Sequence, residues 1–98
     1  MNINKTLNAT ELTLALDGRL DTASAPVLEA ELNQSLTGIT NLVLDFSALE
    51  YLSSAGLRVL LSAQKTMNKQ GGMTVKNVNE TIKEIFEVTG FCDILTIE

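Results

Sequence analysis

Residues 42–61 read LVLDFSALEYLSSAGLRVLL, and the two ends of this stretch decide the fold. Leu42-Val43-Leu44 is a short continuous apolar run, the pattern of a strand buried on both faces. Asp45 closes it, and Phe46 to Leu52 are expected to form a loop. Ser53-Ser54 then open a helix that runs from about Ser54 to Gln70. Leu57, Leu60, Leu61 and Met67 fall on its apolar side, and Arg58, Ser62, Lys65 and Lys69 form a polar stripe at helical spacing. Gly71-Gly72 stop this helix.

The same alternation extends in both directions. Upstream, Asn2 to Asn8 and Glu11 to Gly18 read as strands. The second has Leu12, Leu14 and Leu16 on one face and Thr13, Ala15 and Asp17 on the other. Asn8-Ala9-Thr10 is the expected hairpin turn, and Gly18 to Thr22 a loop. A helix is predicted from Ser24 to Leu36, with Thr22 or Ser24 as cap, Pro26 in the first turn, Leu28, Leu32 and Leu36 on one face, and Gly38 after its end. Downstream, Met73 to Asn77 read as a strand. Asn79 is placed to cap a third helix whose Ile82, Ile85, Phe86 and Thr89 repeat at i, i+3, i+4 and i+7. Gly90 ends that helix, and Leu95 to Ile97 suit a last short strand. The order β-β-α-β-α-β-α-β predicts an α/β fold: one domain over 1–98, with a four- or five-stranded mixed sheet, right-handed crossovers and the helices mainly on one face. The first strand, paired by the hairpin, is expected to leave its other face exposed. Sites in such sheets lie beyond the carboxyl ends of the strands. The segments Arg19 to Thr22 and Asp45 to Ser54 are therefore expected to meet there.

The bulk numbers narrow the function. Ninety-eight residues suit a single domain, and 45% hydrophobic with 19% charged residues is globular rather than disordered. A net charge of −5 repels phosphate backbones and anionic membranes, so neither nucleic acid nor membrane insertion is expected. No apolar stretch approaches the roughly 20 residues a bilayer span needs, and Met1 to Lys5 carry no secretory h-region. One cysteine, Cys92, rules out an internal disulfide, and cytoplasmic residence is expected. There is no histidine, the commonest general base and metal ligand. With no phosphate-cradling glycine loop and no paired-carboxylate motif, the sequence predicts no enzyme, no catalytic residues, no metal and no cofactor.

Ser53-Ser54-Ala55-Gly56-Leu57-Arg58-Val59-Leu60-Leu61 resembles the signature of the anti-sigma factor antagonists (STAS domains), in which a serine opens a helix just before Gly-Leu. Gly18-Arg19-Leu20-Asp21 resembles the family's Gly-x-Leu-Asp after its second strand, Leu44-Asp45-Phe46-Ser47 its strand-end Asp-x-Ser, and Gln70-Gly71-Gly72 its glycine turn. The four pieces fall in the family's order and spacing over nearly the whole chain. The resemblance implies a STAS-type fold and a partner-switching function. The unphosphorylated protein binds an anti-sigma factor that is also a serine kinase of GHKL type, which frees the sigma factor. The kinase then phosphorylates the helix-opening serine, the complex dissociates, and a PP2C-type phosphatase resets the cycle. By position that serine is Ser54, with Ser53 as fallback. Well-known members have Asp before this serine and Ser or Thr after it. Here the flanks are Ser53 and Ala55, which changes the local charge a kinase would read. STAS domains of this size also serve as constitutive subunits of a transporter ATPase or a sensory assembly, the alternative function.

On chemistry alone, a serine at a helix start is a cap before it is a modification site; the motif reverses that order. Phosphate there would add about −1.5 to −2 charges beside the acidic neighbours expected at Asp21, Asp45 and Glu50. Asp21 is either a partner contact or a helix cap. Asp45 either contacts a partner or orients the Ser53-Ser54 turn through backbone hydrogen bonds, the latter favoured. Gly56 marks either partner approach or tight helix–sheet packing, the latter favoured. Arg58, with Lys65 and Lys69, forms a solvated face or a partner surface. Cys92 is expected to be a packed thiol near Phe91.

Overall fold

The strand that starts at Asn41 does not stop at Asp45. In the computed structural model, which describes Met1–Glu98, it continues for twelve residues. The elements are β1 (Asn2–Asn8), β2 (Glu11–Leu20), α1 (Ala25–Ser35), β3 (Asn41–Leu52), α2 (Ser54–Gln70), β4 (Gly72–Lys76), α3 (Glu80–Thr89), a 3-10 turn (Phe91–Asp93) and β5 (Thr96–Ile97). The five strands form one sheet in the order β1-β2-β3-β4-β5, with β1 antiparallel to β2 and every later neighbour parallel.

That strand order fixes where the helices go. Each of the three crossovers steps to the next strand in the same direction. Right-handed crossovers that all step one way stack their helices on one face. The side chains agree. Leu12, Leu42 and Met73 are register partners across β2, β3 and β4, as are Leu14, Leu44 and Val75, and all six are buried. They join Leu28 and Leu32 of α1, Leu57, Leu60 and Met67 of α2, and Ile82 and Phe86 of α3 in one core. Of the α2 residues expected on the apolar side, Leu61 is only half-buried. On the opposite face Thr13, Ala15 and Thr74 are half-covered by their neighbours alone. β1 is exposed nearly throughout, with only Ile3 half-buried.

The expected loop from Phe46 to Leu52 is thus strand, and its pairing explains why it did not look like one. Ala15 pairs with Asp45 but Asp17 with Ala48, and Gly18 pairs with Leu49 but Arg19 with Tyr51. Each shift inserts one extra β3 residue, a bulge that breaks the two-residue alternation. The buried positions Leu44, Phe46, Leu49 and Leu52 therefore recur at two, then three, then three. β2 likewise runs past the expected end at Gly18 to Leu20.

The helix ends follow local chemistry. Asn79 caps α3, its Oδ1 accepting from the Ile82 N–H at 2.9 Å, and Gly90 closes that helix in the left-handed region at φ 79°. Gln70, at the end of α2, donates to the carbonyls of Leu36 (2.6 Å) and Ile39 (2.7 Å), tying the end of α2 to the turn that follows α1. The thiol of Cys92 is exposed, against expectation. In the turn after Gly90, Phe91 packs against the core and Leu95 is buried, so both inward positions are filled and Cys92 points out.

Candidate functional site

β2 and β3 end together. Leu20 pairs with Leu52, and the Ser53 N–H donates to the Leu20 carbonyl at 2.9 Å. α1 and α2 therefore start side by side above the carboxyl ends of adjacent parallel strands, the expected site location. Two serines open α2 and divide the work. Ser53 is the N-cap, extended at φ −95° and ψ 173°, and its hydroxyl accepts from the Gly56 N–H at 3.3 Å. Ser54 is the first helical residue and is exposed to solvent. The cap is thus Ser53, which leaves the Ser54 hydroxyl accessible. Ser53→Ala is expected to lower stability by about 0.5–2 kcal/mol, and Ser54→Ala by less than about 0.5 kcal/mol. Urea unfolding of the two variants checks the assignment; a larger loss from Ser54→Ala would reverse it.

Asp21 organises the neighbouring turn. Its Oδ1 accepts from the N–H groups of Ala23 and Ser24, each at 3.1 Å, and from the Ser24 hydroxyl. The Ser24 hydroxyl in turn donates to the Arg19 carbonyl at 2.7 Å. Ser24, not Thr22, holds the N-cap position of α1, but its hydroxyl makes no cap hydrogen bond because it is engaged with Asp21 and the Arg19 carbonyl. The hydrogen bond from the Ser24 backbone holds the Asp21 carboxyl below the usual carboxylate range, with help from the Ser24 hydroxyl, the Ala23 backbone and Arg19. The second carboxylate oxygen lies 3.8 Å from Arg19 Nε, and the Arg19 guanidinium sits 4.3 Å from the centre of the Tyr51 ring. This Arg19–Tyr51 pair has no trace in sequence spacing; the two bulges in β3 bring the residues into register.

Gly56 is buried. A Cβ there would lie 2.7 Å from Leu52 Cδ1 and 2.8 Å from Leu20 Cγ, so this glycine lets α2 seat on the sheet. Arg58, exposed one turn beyond Ser54, lines a shallow groove with Thr22, Pro26 and Glu29 on the α1 side and Ala55 on its own. Glu50 lines a second depression with Arg19, Asp21 and Val27.

Asp45 does not join this site. It sits in mid-strand, seven β3 residues before Leu52, roughly 20 Å away at about 3.3 Å per residue. Its Oδ1 accepts from Asn77 Nδ2 and from the Ser47 N–H, both at 3.0 Å, and not from the Ser53-Ser54 turn. Asn77, then the Ser47 backbone, hold the Asp45 carboxyl below its ordinary range against partial burial. A carboxylate with a depressed folded pKa adds stability that is present above its unfolded value and lost as pH falls through the folded value. Stability should therefore drop progressively below about pH 4. Asn77→Gly keeps the positive φ of 60° accessible while removing the amide. It is expected to move the Asp45 carboxyl titration, followed by 13C NMR, back towards the ordinary value; an unmoved titration would show that the Asn77 bond does not form.

No group of three or more His, Cys, Asp or Glu side chains is placed to hold a metal ion, and no helix is long and apolar enough to cross a membrane. The site is a solvent-facing rim where the ends of β2 and β3 meet the starts of α1 and α2: an open serine, two acids, two arginines and an aromatic ring.

The family model for the STAS domain matches residues 1–98, and the chain belongs to that family. Among its relatives are BtrV of Bordetella bronchiseptica, 38% identical over 88 residues (88% of this chain, 76% of that one), and the anti-sigma-B factor antagonist of Bacillus subtilis, 32% identical over 100 residues (99% and 92%). The fold matches the crystal structure of an anti-sigma factor antagonist from Mycobacterium paratuberculosis with a TM-score of 0.89, at 23% identity over 98% of this chain and 83% of that one.

Proposed function

We propose that this protein is an anti-sigma factor antagonist, a non-enzymatic partner switch that works in the cytoplasm and turns on Ser54. One observation carries the reading: the motif-matched serine is exposed at the first position of α2, while the neighbouring Ser53 keeps the cap. A phosphate can be added to Ser54 without removing a hydrogen bond that holds the helix. Relatives named as anti-sigma-B factor antagonists, at 31–32% identity over essentially the whole chain, support the partner class. In its unphosphorylated form the protein binds an anti-sigma factor that is also a GHKL-type serine kinase, through the rim formed by Asp21, Ser54 and Arg58. Phosphorylation at Ser54 adds about −1.5 to −2 charges to that contact and releases the partner. A PP2C-type phosphatase restores the binding form.

The test begins with capture of the anti-sigma factor from native lysate, followed by phosphosite mapping with that kinase and binding titrations. Ser54→Asp should keep the fold, because an acid is tolerated at a helix start, yet bind at least tenfold more weakly. Ser54→Ala should bind like wild type and not be released by the kinase with ATP. Phosphate mapped to Ser53 would move the switch by one residue. Phosphate elsewhere, or wild-type binding by Ser54→Asp, would favour a constitutive STAS subunit, as would capture of a transporter ATPase in place of a kinase.

A further inference from the structure

We propose that Arg58 is the internal partner of a phosphate on Ser54, so that phosphorylation withdraws this cation from the groove between α1 and α2. The inference rests on the reading of Ser54 as the switch. Ser54 and Arg58 are both exposed and stand at i and i+4 of α2, which makes them neighbours on one helix face, with Cβ atoms about 5–6 Å apart. Helical side chains lean towards the N-terminus, so the Arg58 stem runs back over the turn that carries Ser54. The anion stands on the N-terminal side of the cation, the stronger of the two orders.

Arg58 is also the cation at the rim without a partner. The two ion pairs of the molecule are Lys5–Glu31 and Arg19–Asp21, and Arg19 is further held over Tyr51. Lys65 lies seven residues beyond Arg58, about 10 Å further along the helix. Glu29 of α1 is the acid that shares the groove with Arg58, without forming an ion pair, and Asp21 and Glu50 line the other depression. A phosphate carries more charge than Glu29 and offers a guanidinium two oxygens in a fork geometry. Before phosphorylation the groove presents a free guanidinium to an acidic side chain of a partner. After it, the guanidinium is turned to Ser54. The switch then changes the contact twice: an anion is added and a cation is removed.

Phosphoserine encoded at position 54 of the full chain makes the test independent of any kinase. The second phosphate ionisation is followed by 31P NMR in the wild-type, Arg58→Gln and Arg58→Lys backgrounds, together with the Arg58 Nε–H signal. Arg58→Gln is expected to raise the phosphate midpoint by about 0.3 units or more, and Arg58→Lys to retain most of the lowering. The difference should collapse in 1 M salt, where the screening length is about 3 Å. The Nε–H signal should move as the phosphate ionises. Equal midpoints in wild type and Arg58→Gln, a difference that survives high salt, or an unresponsive Nε–H would each overturn the proposal. Those outcomes leave Ser54 standing as the switch, whereas a phosphosite mapped elsewhere would remove the switch and leave the titration result intact.

Discussion

Leu44→Ala is expected to destabilise the protein by about 2–5 kcal/mol. Leu44 is fully buried in the central strand, between its register partners Leu14 and Val75, which are fully buried themselves. The loss combines the transfer free energy of the deleted methyl groups with a cavity term, because neighbours fixed on hydrogen-bonded strands collapse only partly. A domain of this size has a total of about 5–15 kcal/mol, so one truncation removes a large share. Val43, the next residue on the opposite, helix-free face, gives the contrast: its alanine variant should cost about 1 kcal/mol. Urea denaturation with unchanged slope measures both. A Leu44→Ala shift below about 1 kcal/mol would place Leu44 outside the core.

The sequence showed Leu44 because its signal is local. Leu42-Val43-Leu44, the alternating leucines of β2 and the i, i+3, i+4 apolar positions of α3 each state their periodicity within a few residues. The start of α2 was legible for the same reason, since both serines and the packing glycine lie within the four residues Ser53 to Gly56. What stayed hidden depends on pairs distant in the chain. The second half of β3 lost its alternation at two bulges, which exist only as mismatches between β2 and β3. Once that stretch is strand, Asp45 is carried away from Ser54 and left to Asn77, 32 residues on. The same bulges bring Tyr51 opposite Arg19, a rim contact that no motif marked. At the cap, two adjacent serines are equivalent by residue type. Which one turns inward is settled by the backbone entering α2, where the Ser53 N–H is tied to Leu20.

Gly71→Ala is expected to cost about 3 kcal/mol or more, whereas Gly72→Ala should change stability by less than about 0.5 kcal/mol. In the sequence these glycines form a single helix stop; in the fold they do different things. A Cβ on Gly71 would lie 1.8 Å from the Thr40 carbonyl oxygen and 2.6 Å from its carbon. The clash is with backbone that is held on both sides. The Thr40 N–H donates to the Thr10 carbonyl at 2.9 Å, and the Thr40 carbonyl accepts from the Gly72 N–H at 3.0 Å. Relieving the clash would break the bond that starts β4 beside β3, or pull Gln70 off the Leu36 and Ile39 carbonyls. A Cβ on Gly72 meets nothing within 4 Å. Gly38 and Gly90 separate close approach from backbone conformation. Each has open space but a positive φ, 81° and 79°, so their alanine variants should each lose about 1–2 kcal/mol through the left-handed backbone alone. The expected order of urea midpoints is therefore Gly72→Ala highest, the Gly38 and Gly90 variants between, and Gly71→Ala lowest. Should Gly71→Ala and Gly72→Ala unfold within about 0.5 kcal/mol of each other, α2 and β4 would not meet at Thr40 as described, and the seating of α2 that sets Ser54 at the rim would need a different anchor.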